Sequence, residues 1–202
     1  MTMSARDFRL IALPALALAA CTAHAHPGSH ASGLSGGLLH PLLGPDHLLA
    51  MVCVGVVSMQ LGGSSVWRVP AAFVLAMLVG GAAGLLAPGA YFAEAGIALS
   101  LVALGAAIAL RQSMPQALVM ACVGAFGFCH GYAHGVEIPE AASPWVYTLG
   151  FVLSTTLLHV AGVGLGWMGA RGVAARVMLR AGGMVVGVLG LIYLGGLANL
   201  PA

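Results

Sequence analysis

Phe126-Gly127-Phe128-Cys129-His130-Gly131-Tyr132-Ala133-His134-Gly135-Val136-Glu137 sets three metal-competent side chains inside an otherwise apolar run. His130 and His134 are four residues apart and Glu137 follows three later, so on a helix all three project from one face. Gly127, Gly131 and Gly135 repeat at the same interval and form a small-residue ridge that lets a second helix come close. An earlier stretch, His40-Pro41-Leu42-Leu43-Gly44-Pro45-Asp46-His47, places two more imidazoles and a carboxylate in another apolar run. Such groups are expensive at membrane depth and by default mark a functional site there. The two stretches together predict a divalent-metal site held between membrane helices.

The surrounding composition supports the membrane half of that reading. The chain has 202 residues, of which 60% are hydrophobic and 6% charged, with a mean hydropathy of +1.03. A soluble domain is about a quarter charged, so too little polar surface is present to cover a water-soluble globule. There is no Lys, and the formal net charge of +2 arises from 7 Arg against 5 acids. That balance supplies no basic stripe for nucleic acid. Cys21, Cys53, Cys122 and Cys129 form no CxxC pair, which argues against a disulfide framework or a thiolate zinc site.

Residues 1–25 read as a secretory signal: Arg6 and Arg9 in a positive region, Leu10 to Ala20 as the apolar core, and Ala23-His24-Ala25 as the cleavage site. Leu18-Ala19-Ala20-Cys21 offers a competing lipoprotein-type cleavage at Cys21. Residues 26–33 form a polar leader outside the membrane, and 34–202 a transmembrane domain. The expected fold class is all-α: an integral membrane bundle of six helices at about 34–60, 68–87, 92–111, 116–138, 145–168 and 178–199. Each is near or above the ~20 residues that span ~30 Å of hydrocarbon.

With the mature N-terminus outside, the loops after segments one, three and five face the cytoplasm. Those loops and their flanks hold Arg68, Arg111, Arg171, Arg176 and Arg180, as the positive-inside rule requires. The topology puts His40, Asp46 and His47 in the outer half of segment one, Glu94 at the outer start of segment three, and His130, His134 and Glu137 in the outer half of segment four. His159 falls near the middle of segment five. The eight residues are the candidate ligands of one site open to the periplasm. Pro41 and Pro45 remove amide donors, so a kink or local opening is expected in segment one. Asp46 either ligates directly or fixes the tautomer of a metal-bound imidazole.

Cys129 lies roughly 100° round the helix from His130 and is expected to pack against apolar neighbours. Met51, Met59, Met77, Met114 and Met120 are read as packing residues, and Trp67, Trp145 and Tyr147 as interfacial anchors. Imidazole with carboxylate suits late first-row divalent ions such as Ni²⁺, Co²⁺ and Zn²⁺.

The two motifs resemble those of the HupE/UreJ family of membrane proteins. Its H-P-x-x-G-x-D-H pattern is matched by His40, Pro41, Gly44, Asp46 and His47. Its H-G-x-A-H-G-x-E pattern is matched by His130, Gly131, Ala133, His134, Gly135 and Glu137, with Glu94 and His159 as weaker matches. One departure is Cys129, where the family pattern has Phe. The broader nickel/cobalt permeases space the first His from Asp by four residues, whereas five intervene here. The resemblance implies a secondary permease in the bacterial cytoplasmic membrane, not an enzyme. It would carry Ni²⁺ or Co²⁺ as substrate, hold no resident cofactor, and supply hydrogenase or urease maturation.

Two other readings use the same residues. An intramembrane zinc hydrolase would take His130, His134, His159 and Asp46 around a metal-bound water. Gly131, however, stands where an HExxH protease has its catalytic Glu. A haem electron carrier would need axial histidines farther apart along a helix than four residues.

Overall fold

The computed structural model describes residues 33–89, 92–111, 114–138 and 143–197. The expected signal segment, Cys21, residues 26–32 of the leader, and Glu140 lie outside them. Every regular element among the described residues is helical: α1 (Gly33–Leu43), α2 (Pro45–Leu61), α3 (Ser65–Leu86), α4 (Phe92–Leu110), α5 (Gln116–Glu137), α6 (Pro144–Ala170) and α7 (Val173–Leu197). The last five are each long and apolar enough to cross a membrane. The first two qualify together, as one span bent by 81°. With that bent pair counted as one span, the described residues supply the six spans expected of the bundle, the first of them broken.

Proline chemistry locates the break. Pro45 is the first residue of α2 and cannot donate to a preceding turn, and its ring pushes the residue before it out of the helical region. Gly44 accordingly adopts an extended conformation, φ −86° and ψ 107°. Helix restarts at once, and Asp46 in the first turn of α2 sits at the positive end of its dipole.

Lipid gives no hydrophobic drive for helix association, so close backbone packing must do that work. Glycines provide it. A Cβ on Gly127, Gly131 or Gly135 of α5 would collide with the carbonyl of Phe73, Met77 or Gly81 of α3, respectively. The ascending order on both helices makes α3 and α5 parallel neighbours. Gly55 of α2 and Gly162 of α6 meet in the same way, also parallel. Gly105 of α4 contacts Gly183 and Gly187 of α7, while Gly190 contacts Val102, so that pair is antiparallel. These pairings fit spans that alternate in direction.

The core is apolar, with Met51, Val54, Phe73, Leu101 and Val123 fully buried. Large apolar side chains such as Leu75, Val79, Leu157 and Ile192 face outward, while His130, His134 and His159 are buried. Such an outside is what a lipid-facing bundle presents. Trp67 and Trp145 are exposed near helix ends, as membrane anchors are. Tyr147 differs from the anchor role expected of it: it is only 3% exposed, turned inward because Gly37 lets α1 lie directly on its backbone.

Direction also sorts the charges. Arg68 opens α3, Arg111 follows α4, Arg171 follows α6, and Arg176 and Arg180 occupy the first turns of α7. All five therefore stand at one end of the bundle. Arg180 Nε donates to the carbonyl of Ala109 at 2.6 Å, and the Arg171 guanidinium lies 3.3 Å from the centre of the Trp167 ring.

Candidate metal centre

At the opposite end, four imidazoles from three helices meet. The break at Gly44 turns α1 nearly at right angles to α2, and the His40 and His47 rings come within 6.4 Å of each other. The glycine ridge of α5 presses its backbone onto α3 and turns His130 and His134 inward; they are 0% and 4% exposed. The ring centroids form a chain: His40 to His134 is 4.6 Å, His134 to His47 is 4.4 Å, and His47 to His130 is 5.1 Å.

Carboxylates sit at both flanks of this chain. His40 Nε2 is 3.2 Å from Glu137 Oε2, and His134 Nδ1 is 3.6 Å from the same oxygen. The first is a good ion-pair geometry, while the second is too long for a strong hydrogen bond. Ligand atoms of His40, His134 and Glu137 all lie within 4.8 Å of one another, close enough to share one cation after small side-chain movements. Asp46 Oδ1 accepts from His47 Nδ1 at 2.7 Å and from the His47 backbone N–H at 2.8 Å. That pairing fixes the ring and leaves Nε2 as its free lone pair, the usual arrangement behind a metal-ligating imidazole. His130 is set the same way, its Nδ1 donating to the Phe126 carbonyl at 2.9 Å.

The remaining nitrogens are the telling ones. His47 Nε2, His130 Nε2, both ring nitrogens of His134 and His159 Nε2 are buried without a hydrogen-bond partner. An unpaired buried polar atom costs about 1–3 kcal/mol. Several within one small volume make a site that gains by accepting a cation. Exposure grades along it: Glu137 is exposed, His40 partly so, and His130 fully enclosed. A cavity of about 310 Å³, bordered by Met77, Gly131, His134, Tyr147 and Phe151, runs alongside.

Of the eight expected ligands, the structure gathers six: His40, Asp46, His47, His130, His134 and Glu137. Glu94, in the first turn of α4, is exposed, with its charge in electrostatic reach of His47. His159 packs against Phe73, whose ring also touches His130. Cys129 turns toward α4, where a Cβ on Gly96 would strike its Sγ, so it packs between helices as expected.

Two residues belong to the site that the motifs do not mark. The Tyr147 ring lies 6.0 Å from that of His40, with its hydroxyl buried and unpartnered, and the Phe151 ring lies 4.2 Å from that of His134. A signal for them exists: Tyr147, Phe151, Thr155 and His159 recur every four residues along one face of α6, and all four are buried.

Comparison with known proteins agrees with the motifs. The family model described as HupE / UreJ protein matches residues 14–193. A protein described as Protein HupE, from Rhizobium leguminosarum bv. viciae, is 41% identical over 184 residues, covering 91% of this chain and 95% of that one. No solved structure matches.

Proposed function

The chain belongs to the HupE/UreJ family, and on that premise we propose that it is a secondary permease carrying Ni²⁺, with Co²⁺ as the alternative substrate, across the cytoplasmic membrane. The cargo would serve maturation of a nickel enzyme such as hydrogenase or urease. The observation that carries the reading is the run of buried imidazole nitrogens without partners, flanked by Glu137 and Asp46. Neutral nitrogen and carboxylate oxygen match late first-row divalent ions, and among the described residues no thiolate joins them to favour Cu⁺.

In this reading the ion arrives at the exposed carboxylate of Glu137 and at His40, then exchanges water for His134, His47 and His130 in turn. Glu94 adds negative charge near the mouth, and His159 receives the ion farther in. Asp46 acts as a positioning residue for His47. The arginines at the other end favour the cytoplasm for that end by the positive-inside rule, which supports a mouth facing the periplasm. Residues 1–25 as a cleaved signal, 26–33 as an outer leader and 34–202 as the membrane domain complete the proposal. The chain carries no G-x-x-x-x-G-K-[ST] loop for ATP. Membrane potential supplies ~2.3 kcal/mol per charge per 100 mV, or roughly 4.6 kcal/mol for a dication. The hydrolase reading gains nothing from the geometry, since Gly131 stands where the catalytic carboxylate of an HExxH site would be.

Uptake of radiolabelled Ni²⁺ by cells expressing the protein, with Co²⁺ and Zn²⁺ as competitors, tests it. His47→Ala and His130→Ala should each fall to the level of cells lacking the protein. Wild-type rates in both variants would remove the site.

A further inference from the structure

The chain of four imidazoles ends at His130, and the next side chain along the bundle is Phe73 of α3, fully buried. Its ring centroid lies 5.3 Å from that of His130, tilted by 59°, and 5.3 Å from that of His159, at 90°. Each of those imidazoles is almost completely enclosed, and each keeps an Nε2 without a partner. An apolar ring thus packs against two imidazoles carried by different helices, each with an unpartnered Nε2.

What lies past Phe73 is not simply core. His159 lines a mostly apolar groove of about 350 Å³ between α3 and α6, with Val66, Pro70 and Thr156, which opens outward at Trp67 and Val160. This groove reaches the first turns of α3, the arginine end of the molecule. Pro70 has no N–H, so the Val66 carbonyl four residues earlier lacks its helical partner. Irregular carbonyls at membrane depth are tolerated where they line a cavity or meet an ion. That wall joins the His159 imidazole to a proline-broken turn, beside the Thr156 hydroxyl, which donates to the Val152 carbonyl at 2.7 Å.

We propose that His159 forms a second station for a divalent cation, and that the Phe73 ring is the barrier between it and the outer imidazoles. The proposal rests on the permease reading for its cargo. Only the ring is free to move: the α3 backbone at Phe73 is pinned against Gly127, where even a Cβ would collide. Rotation of the ring would pass an ion from His130 Nε2 to His159 Nε2, and its return would close the path behind.

Two measurements test this. In a background with Cys21, Cys53, Cys122 and Cys129 replaced by Ser, a His159→Cys variant is treated with trimethylammonium-ethyl methanethiosulfonate from the side where His40 and Glu137 open. Labelling should be slow with Phe at position 73 and rise roughly tenfold or more in Phe73→Ala, as when a protected site is opened to reagent. Phe73→Leu should fall between and carries the comparison if the alanine variant does not accumulate in the membrane. Equal labelling whatever stands at position 73 overturns the barrier. Equilibrium dialysis of purified protein against Co²⁺ tests the station: His134→Ala should keep a bound equivalent that His134→Ala/His159→Ala loses. Identical stoichiometry in the two overturns it. The labelling needs no metal, so failure of Ni²⁺ uptake to depend on His130 would sink the permease while leaving the barrier to stand or fall alone.

Discussion

Two helix pairs in this bundle are built with the same device and do different things. In α3 and α5 the glycines at 80, 84, 127, 131 and 135 bring the backbones into contact, and in α4 and α7 those at 105, 183, 187 and 190 do likewise. The α3/α5 pair carries His130 and His134 on the inward face of its ridge. The α4/α7 pair has no histidine along its seam, and the buried residues of α7 are Gly183, Val186 and Gly190 alone. Small residues thus decide where membrane helices meet. Whether the meeting becomes a site depends on which donors are lifted inward with the backbone. The contacts are also tighter where the donors are: a Cβ on Gly131 would meet the oxygen, carbon and Cα of Met77, whereas one on Gly187 would find nothing nearer than 3.9 Å.

The strongest way to break that contrast is at Gly131. A valine there has no flexible neighbour to displace at its Cβ, since the three nearest atoms are all backbone of Met77. Overpacking a yielding core costs about 1–3 kcal/mol, and a backbone collision should exceed that range. Gly131→Val should therefore lose most folded protein, seen as aggregation in size-exclusion chromatography and absent Ni²⁺ uptake. A Cβ at Gly124 on the same helix meets nothing within 4 Å, so Gly124→Val should elute as wild type. A folded, active Gly131→Val protein would show that the α3/α5 contact is looser than described.

A milder change separates packing from chemistry on the side that has both. Asp46 holds His47 by two hydrogen bonds, one to the ring and one to the backbone N–H. Asp46→Asn keeps shape and volume but removes the carboxylate that orders the ring's tautomer. Loss of such an outer partner typically weakens metal affinity by roughly 10- to 100-fold. The Ni²⁺ concentration giving half-maximal uptake should rise by that order, with thermal stability in detergent unchanged. An unaltered half-saturation would mean that Asp46 neither orients nor binds.

Much of this contrast is legible in the sequence, and what is not has a physical reason. The i, i+4, i+7 spacing of His130, His134 and Glu137 fixes a shared face without any tertiary knowledge. The prolines around Gly44 announce a break, because a missing N–H is a local fact. The size of the bend, 81°, is set by how α1 lies on α6, which no local rule contains. The inward turn of Tyr147 escaped the motifs for the same reason: a Tyr at a helix end reads as an anchor until Gly37 is known to face it. His159 shows the limit most clearly. Its depth follows from counting along the segment, but the Phe73 ring beside it comes from a helix more than eighty residues away in the chain.

The smallest expected effect is the one that tests the other pair. At Gly187 the nearest atoms to an added Cβ are the Ala106 nitrogen and the Val102 oxygen, both at 3.9 Å, which is ordinary contact. Alanine there adds dispersion contact across the α4/α7 seam without moving either helix. It also removes the backbone freedom that glycine gives the unfolded chain, worth about 0.4–1 kcal/mol where the native conformation suits alanine. Gly187→Ala should thus melt at the wild-type temperature or slightly above it in detergent, and take up Ni²⁺ at the wild-type rate. A clear loss of uptake with stability kept would mean that α7 must slide on α4 during transport. The α4/α7 pair would then be a moving part of the proposed permease, and its lack of histidines would no longer make it the passive half.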